Sequence, residues 1–561
     1  MRASVAPRLP AASALLLAAA VVFSPLIAAL LCTGLRAGEV AEAFRGELTP
    51  LARSAGAALV AAAAALLLGS PFAILVERAR PRVRRICWAL GLLVLIVPPY
   101  IAGEACIVLL GPAGKLSRPL ATLLGFGPKP GDALAAARFA VPGFVFTWPA
   151  VGVVMGGCLF PIVALAVGSA YRRTDQRVFE SARLARGRGG VWRVASRVLV
   201  PPALGAALLV FAVTLTEFAV PQLLRVRTVG EAVYERIQEG DVASAAALGL
   251  PLLPLVVAAG ALGAFVLARS RVASLAGLEG EVPRFTGRSA GLAGDFFAGA
   301  ITFIALLPGM IVPIISLTWL AVTAARPHAS AVGTHKLLRA SGFFASLRGA
   351  WDLAHNDALR TILLAALAAT LATAFAVALA RLAARAGWGP LLGGLGAGLA
   401  VPAPVVGLGL IALWDRDATA AVYQGPAVVL LAWLARFLPI AVFLAQAALA
   451  RVPRELESAA ALAGRGPAGR LLAVVLPGAA PGLVAAWLAT YVLAATEFSA
   501  TVLVAPPGQP LLAPSVVNLM RRGQDPEIAA CQVLLLAVVA LPLLPLALAM
   551  IARRRPRCRS D

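Results

Sequence analysis

The sequence predicts an all-α polytopic membrane protein, with twelve transmembrane helices arranged as two parallel six-helix repeats. Three observations lead there. The chain has 561 residues, 60% hydrophobic and only 13% charged, with mean hydropathy +0.89; a soluble domain carries about 25% charged residues. Apolar runs recur along it, and a spanning helix needs about 20 such residues. Short polar phrases recur in its second half at near-constant distance from their first appearance.

The first six runs lie near 11–34, 54–76, 86–110, 146–171, 203–224 and 243–268. The second six lie near 296–323, 358–380, 389–413, 427–450, 480–505 and 528–552. The first run is longer than the ~7–15 apolar residues of a secretory signal, so it reads as a retained helix with a cytoplasmic N-terminus. The cytoplasmic segments are then 1–10, 77–85, 172–202, 269–295, 381–388, 451–479 and the tail from Arg553. They hold about 30 of the 49 Lys and Arg residues, against about 17 in the opposite loops. The net charge of +23 is thus a positive-inside bias facing a lipid membrane, and nucleic acid is not an expected partner. The expected location is a bacterial inner membrane, multi-pass, with both termini cytoplasmic. The six cysteines are scattered without a C-x-x-C pair, which gives neither a disulfide framework nor a zinc site.

The polar stretch 269–295 separates two units, 1–268 and 296–561. VPPYIAGEA from Val97 matches VPAPVVGLG from Val401, pairing Pro98 with Pro402 (402 − 98 = 304). FPIVAL with Pro161 matches LPIAVF with Pro439 (439 − 161 = 278), and TEF at Glu217 matches TEF at Glu497 (497 − 217 = 280). GDVASAAAL from Gly240 matches GQDPEIAAC from Gly523 more loosely. Six spans is an even number, so both units enter the membrane in the same orientation, related by a pseudo-two-fold axis along the membrane normal. Prolines inside spans remove a backbone donor and bend a helix. Pro98 and Pro402 are therefore candidate pathway-lining kinks, with packing as the plainer alternative.

The most informative repeat is polar. ESARLARGRG at Glu180–Gly189 returns as ESAAALAGRG at Glu457–Gly466 (457 − 180 = 277), each between the fourth and fifth run of its unit. A glutamate and a serine suit a helix start. Gly-Arg-Gly then breaks the helix, because glycine admits a left-handed turn. A second helix re-enters the membrane and reaches Pro201 in one copy and Pro477 in the other. A loop that only fixes topology needs arginines, but not this spacing.

The phrase resembles the EAA loop of permease subunits of binding-protein-dependent ABC importers, roughly E-A-A-x-x-x-G followed about thirteen residues later by Leu-Pro. Glu457, Ala459 and Gly464 match, and Gly464 to Pro477 is thirteen residues (477 − 464). Glu180, Ala182 and Gly187 match in the first copy, with fourteen residues to Pro201 (201 − 187). Ser181 and Ser458 stand where the family has alanine, and the glycine falls one position late. The resemblance implies a type I ABC importer permease-like fold. It also implies two docking elements, Glu180, Ser181, Ala182, Gly187, Arg188, Gly189 and Glu457, Ser458, Ala459, Gly464, Arg465, Gly466. Their implied partners are two ATPase subunits, alongside a solute-binding protein. The regular copy at Glu457 is expected to tolerate substitution less well than the first. TEFAVP (Thr216–Pro221) and TEFSAT (Thr496–Thr501) resemble the iron(III)-type and thiamine-type permeases, many of which are fusions of two units.

Glu217 and Glu497 are carboxylates inside predicted spans. Such groups face a bundle interior or water, so they are candidates to line the pathway; a structural hydrogen bond is the alternative. Glu104 has Leu408 at its repeat position. His328, His335 and His355 fall in the predicted outward loop 324–357 and read as solvated rather than metal-binding. GPAGKLS from Gly111 lacks phosphate-loop spacing, and GGLGAG from Gly393 reads as helix packing. The chain is thus expected to be no enzyme, to hold no cofactor or metal, and to draw ATP-derived work from other chains. The expected solute is iron(III) or a small chelate, with thiamine, a polyamine or a phosphonate as alternatives. An ion-coupled secondary transporter is the alternative of another class.

Overall fold

The computed structural model describes residues 8–32, 48–111, 116–117, 140–174, 176–269, 291–323, 340–386, 395–396, 398, 401–522 and 526–543. Among them the regular structure is helical. A bilayer core offers backbone groups no water, and a helix satisfies them within its own segment. Among the described residues, nine helices are long and apolar enough to cross a membrane. A tenth passes only as a bent pair, Pro81–Ile96 with Pro99–Leu110. Two shorter apolar helices, Ala403–Trp414 and Ile528–Ala540, occupy the ninth and twelfth predicted positions. The protein is a polytopic, all-helical membrane protein.

Close approach of small residues holds neighbouring spans together. A side-chain carbon added at Gly152 would lie 2.6 Å from the Ala57 carbonyl oxygen, and one at Gly156 2.6 Å from that of Ala61. These glycines, four residues apart on Trp148–Arg173, let that helix lie against Leu48–Glu77 at backbone distance. Lipid tails are as apolar as leucine, so such van der Waals contact replaces hydrophobic driving force between spans. On its other side, a carbon added at Gly157 would lie 2.4 Å from Pro308 of the second unit.

Several predicted boundaries are corrected. The third span is not one kinked helix: its two pieces meet at 88°. Pro98 sits outside the second piece as its N-cap, in an extended conformation (φ −59°, ψ 136°). Pro402 does the same for Ala403–Trp414 (φ −57°, ψ 140°). A residue before proline is pushed out of the helical region, and Val97-Pro98-Pro99 contains two such steps. Pro161 and Pro439, by contrast, lie inside continuous helices. The predicted spans 203–224 and 480–505 end early, at Leu215 and Ala495, before the TEF phrases. Residues 340–357, expected in an outward loop, belong to the 47-residue helix Ala340–Ala386, which places His355 on a helix. His328 and His335 lie outside the described residues. So does most of the 269–295 stretch, but its end is helical from Gly291, and the Asp295 carboxylate accepts the Arg80 N–H at 2.9 Å.

Candidate functional site

Both copies of the repeated phrase form helix, glycine turn and second helix. In the first, the helix runs from Gln176 and breaks at Arg186 and Gly187, the latter at φ 58°, ψ −145°. In the second, helix Arg454–Leu462 ends before Gly464 at φ 79°, and Pro467–Arg470 resumes after the Gly466 N-cap. Nothing lies within 4 Å of a side-chain carbon added at Gly187 or Gly464. Backbone conformation, not crowding, therefore requires glycine at these two positions.

The expected serine cap is absent. The Ser181 hydroxyl donates to the Val178 carbonyl inside a helix already begun, and the N-cap of the second copy is Pro453. Ser181, Gly187, Gly189, Ser458, Ala459, Arg465 and Gly466 are exposed, and Ala182 is half-buried. Each copy also presents a leucine to the outside, Leu184 and Leu462, both 90% exposed.

The copies differ in how they are anchored and charged. Glu457 accepts two hydrogen bonds from the Arg381 guanidinium, 2.9 Å from Nη1 and 2.6 Å from Nη2. This fork ties the loop to the end of helix Ala340–Ala386. Glu180 is exposed and, among the described residues, makes no ion pair. The first copy is anchored elsewhere, by the Tyr171–Phe179 stack with centroids 5.9 Å apart. Residues 176–189 carry four arginines and one glutamate, a net +3; residues 453–466 carry two of each, a net of zero.

The two TEF phrases come together in the interior. Phe218 and Phe498 stack with centroids 5.8 Å apart and planes 3° apart. Glu217 and Glu497 lie beside them, not inside continuous helices but in the breaks that follow Leu215 and Ala495. Glu217 accepts the Ala219 N–H at 3.0 Å. Glu497 is buried and accepts from the N–H groups of Ala500 (3.1 Å) and Thr501 (2.9 Å) and from the Thr501 hydroxyl (2.6 Å). It also pairs with Arg436. Trp433 extends this network by donating to the Thr501 hydroxyl at 2.9 Å.

The two glutamates are visible in the sequence; the cation that pairs with Glu497 is not singled out there. Arg436 was legible as a lone arginine in an apolar run. Its repeat position is Cys158 (436 − 278 = 158), which is buried. The guanidinium pairs with Glu497 and has no counterpart beside Glu217, so the two TEF phrases are not equivalent at the centre. Arg381 was not legible, because no local pattern ties it to a glutamate 76 residues later. Pro98 and Pro402 cap the helices beside this centre. Among the described residues no cluster of three or more His, Cys, Asp or Glu could hold a metal ion.

No family model matches the chain. A stretch of 192 residues is 28% identical to the molybdenum transport system permease protein ModB of Azotobacter vinelandii, covering 32% of this chain and 76% of that protein. The chain is similar to transport-system permeases. A stretch of 154 residues is 30% identical to PhnV of Salmonella paratyphi A, a permease protein ascribed to 2-aminoethylphosphonate transport. This second match covers 26% of the chain and 55% of that relative. Both relatives are transport permeases and not enzymes, and neither is named for iron or thiamine.

Proposed function

We propose that this chain is the permease of an ATP-driven ABC importer, two six-span units in one polypeptide divided near 269–295. The observation that carries the reading is the repeated helix–glycine turn–helix, exposed in both copies and built at the same point of each unit. The two loops are docking elements for two ATPase subunits on the cytoplasmic face of a bacterial inner membrane, with both chain termini on that face. ATP-driven closure of the subunits pulls the loops, and the units respond by exposing the pathway alternately to either side. A separate solute-binding protein delivers the solute to the opposite face.

The relatives favour a phosphonate or molybdenum oxyanion as solute over the iron(III) that the TEF phrases suggest. The central glutamates favour a structural role for themselves. Glu497 is held by four donors, and Glu217 caps the short helix that follows it. Arg436 and Glu217 are both left partly exposed, the Arg436 side chain 21% accessible, and of the two the guanidinium is the group that suits an anion.

The test is co-purification of the ATPase subunit with the full-length permease, together with uptake in the same cells. Glu457→Ala with Gly464→Val is expected to release the ATPase and abolish uptake while the permease still reaches the membrane. Uptake that persists with no ATPase bound would overturn the reading in favour of ion-coupled transport.

A further inference from the structure

The two units also meet through Glu104 and Gln532, residues the transport reading leaves without a role. Glu104 lies on Pro99–Leu110 of the first unit and Gln532 on Pro526–Ala540 of the second. Both are buried, at 3% and 0% exposure. The Gln532 amide donates from Nε2 to Glu104 Oε2. The two remaining oxygens, Glu104 Oε1 and Gln532 Oε1, are buried without a hydrogen-bond partner.

That remainder is chemically specific. An ionised carboxylate is acceptor-only, and the amide oxygen is also an acceptor. Two buried acceptors left unpaired, one of them charged, are unfavourable. A carboxylic acid is different. Its O–H on Oε1 donates to Gln532 Oε1 while Oε2 accepts from Nε2, which closes a cyclic acid–amide pair with every polar atom satisfied.

On the Gln532 side, helix Ala340–Ala386 carries Arg348, Asp352, His355, Asp357, Arg360, Arg381 and Arg385, Leu512–Arg522 carries Arg521 and Arg522, and Leu476–Ala495 carries only Tyr491. The elements packed on the Glu104 helix bring no counter-ion. Helices Ala140–Val145, Ala219–Leu223 and Val312–Thr323 and the turn Leu307–Ile311 contain no charged residue. Trp148–Arg173 carries only Arg172 and Arg173, at its far end, where Arg172 pairs with Glu77. Pro526–Ala540 carries only Glu527, in its first turn. The other titratable groups on these elements are Tyr100, Cys106, Cys158, Tyr171 and Cys531.

The repeat shows the apolar alternative. Glu104 corresponds to Leu408 (408 − 304 = 104), and Gln532 to Gly249 (532 − 283 = 249, the offset of Gly523 from Gly240). Across the pseudo-two-fold axis, Gly249 meets the helix of Leu408 directly: a side-chain carbon added there would lie 2.4 Å from Val405 Cγ2. On one side of the interface Gly249 packs on Val405, three residues before Leu408; on the other, Gln532 meets Glu104.

We propose that Glu104 is a proton-binding site: it carries its proton at neutral pH and, as the neutral acid, clasps the two units through Gln532. The clasp exists on one side of the interface only. Removing the proton leaves two buried acceptors without a donor, so separation of the units on that side is linked to proton release.

Two measurements on the full-length protein in lipid vesicles test this. In the first, the infrared spectrum of the wild type minus that of Glu104→Gln is expected to show a protonated carboxyl carbonyl band at neutral pH. A carboxylate band in its place overturns the proposal. In the second, Glu104→Leu and Gln532→Gly are each expected to lower the melting temperature, and the double variant, which copies Leu408 and Gly249, to recover most of the loss. Losses that simply add overturn the clasp. If either single variant fails to fold, Glu104→Gln decides the same question: it keeps a neutral amide pair and should melt near the wild type, whereas a large loss would show that the charged form is the one needed.

Discussion

Phe218 and Phe498 are repeat partners 280 positions apart (498 − 218), and their rings lie parallel, 5.8 Å between centroids. A residue that touches its own counterpart sits on a two-fold axis, as in a symmetric dimer interface. The stack therefore marks where the pseudo-two-fold axis passes through the interior, with Glu217 and Glu497 one residue before it on either side.

Both rings are buried, and truncating either opens a cavity. Phe218→Ala and Phe498→Ala are each expected to cost about 3–5 kcal/mol, and the pair to show a coupling of about 0.5–1.5 kcal/mol in a double-mutant cycle. Thermal unfolding of the four proteins in one detergent measures it; zero coupling would mean the stack contributes only through burial.

Arg436 and Glu497 form an ion pair with the carboxylate fully buried. Removing one partner strands the other, which typically costs about 3–5 kcal/mol, whereas removing both charges is often close to neutral. Arg436→Leu is thus expected to destabilise strongly and Arg436→Leu with Glu497→Gln much less, read as melting temperatures. The Arg436→Leu protein should also lose uptake more completely than its residual stability explains, if the guanidinium meets the solute.

The two docking loops should respond unequally. Glu457 is locked to Arg381 by a two-pronged contact, so Glu457→Ala and Arg381→Ala both free the second loop from its span. Each is expected to reduce ATPase recovery several-fold in a pull-down, and Glu180→Ala to reduce it less. Equal losses from Glu180→Ala and Glu457→Ala would show that anchoring to Arg381 does not matter.

Asp241, just outside the sixth span, caps helix Val242–Gly249 by accepting the Ser244 N–H at 3.0 Å. The Ser244 hydrogen bonds hold its carboxyl below the ordinary value of 3.8. A lowered folded-state value means that the stabilisation is complete above 3.8, and that it is lost as pH falls through the lower folded value. Asp241→Asn keeps the cap acceptor and is expected to flatten the acid limb of the stability profile, while Asp241→Ala should cost about 1 kcal/mol near neutral pH. Melting temperatures of the three proteins between acid and neutral pH check both.

The breaks beside the two central glutamates show how far a local pattern reaches. Hydropathy carried the fifth and eleventh spans through Thr216–Phe218 and Thr496–Phe498, because those phrases are flanked by apolar residues on both sides. The chain instead leaves the helix there, and each glutamate takes up backbone N–H groups that the break exposes. The break at Pro98 was legible as a bend but not as a right angle, since a proline fixes its own φ and not the direction of the next helix. The left-handed turns at Gly187 and Gly464 were legible, because one residue type settles that geometry without help from its neighbours.

By itself, then, the sequence determined what depends on short stretches of chain: apolar runs that become helices in lipid, glycine turns that break them, and a duplicated order that puts equivalent phrases at equivalent points. Only the tertiary structure decided what depends on contact between distant stretches. It brought Phe218 onto Phe498, paired Arg436 with Glu497, tied Glu457 but not Glu180, and set Glu104 against Gln532 where the other side has leucine and glycine. The physical reason is that hydrophobicity and backbone conformation are properties of neighbouring residues, whereas a buried ion pair or hydrogen bond exists only when packing delivers both partners to one place.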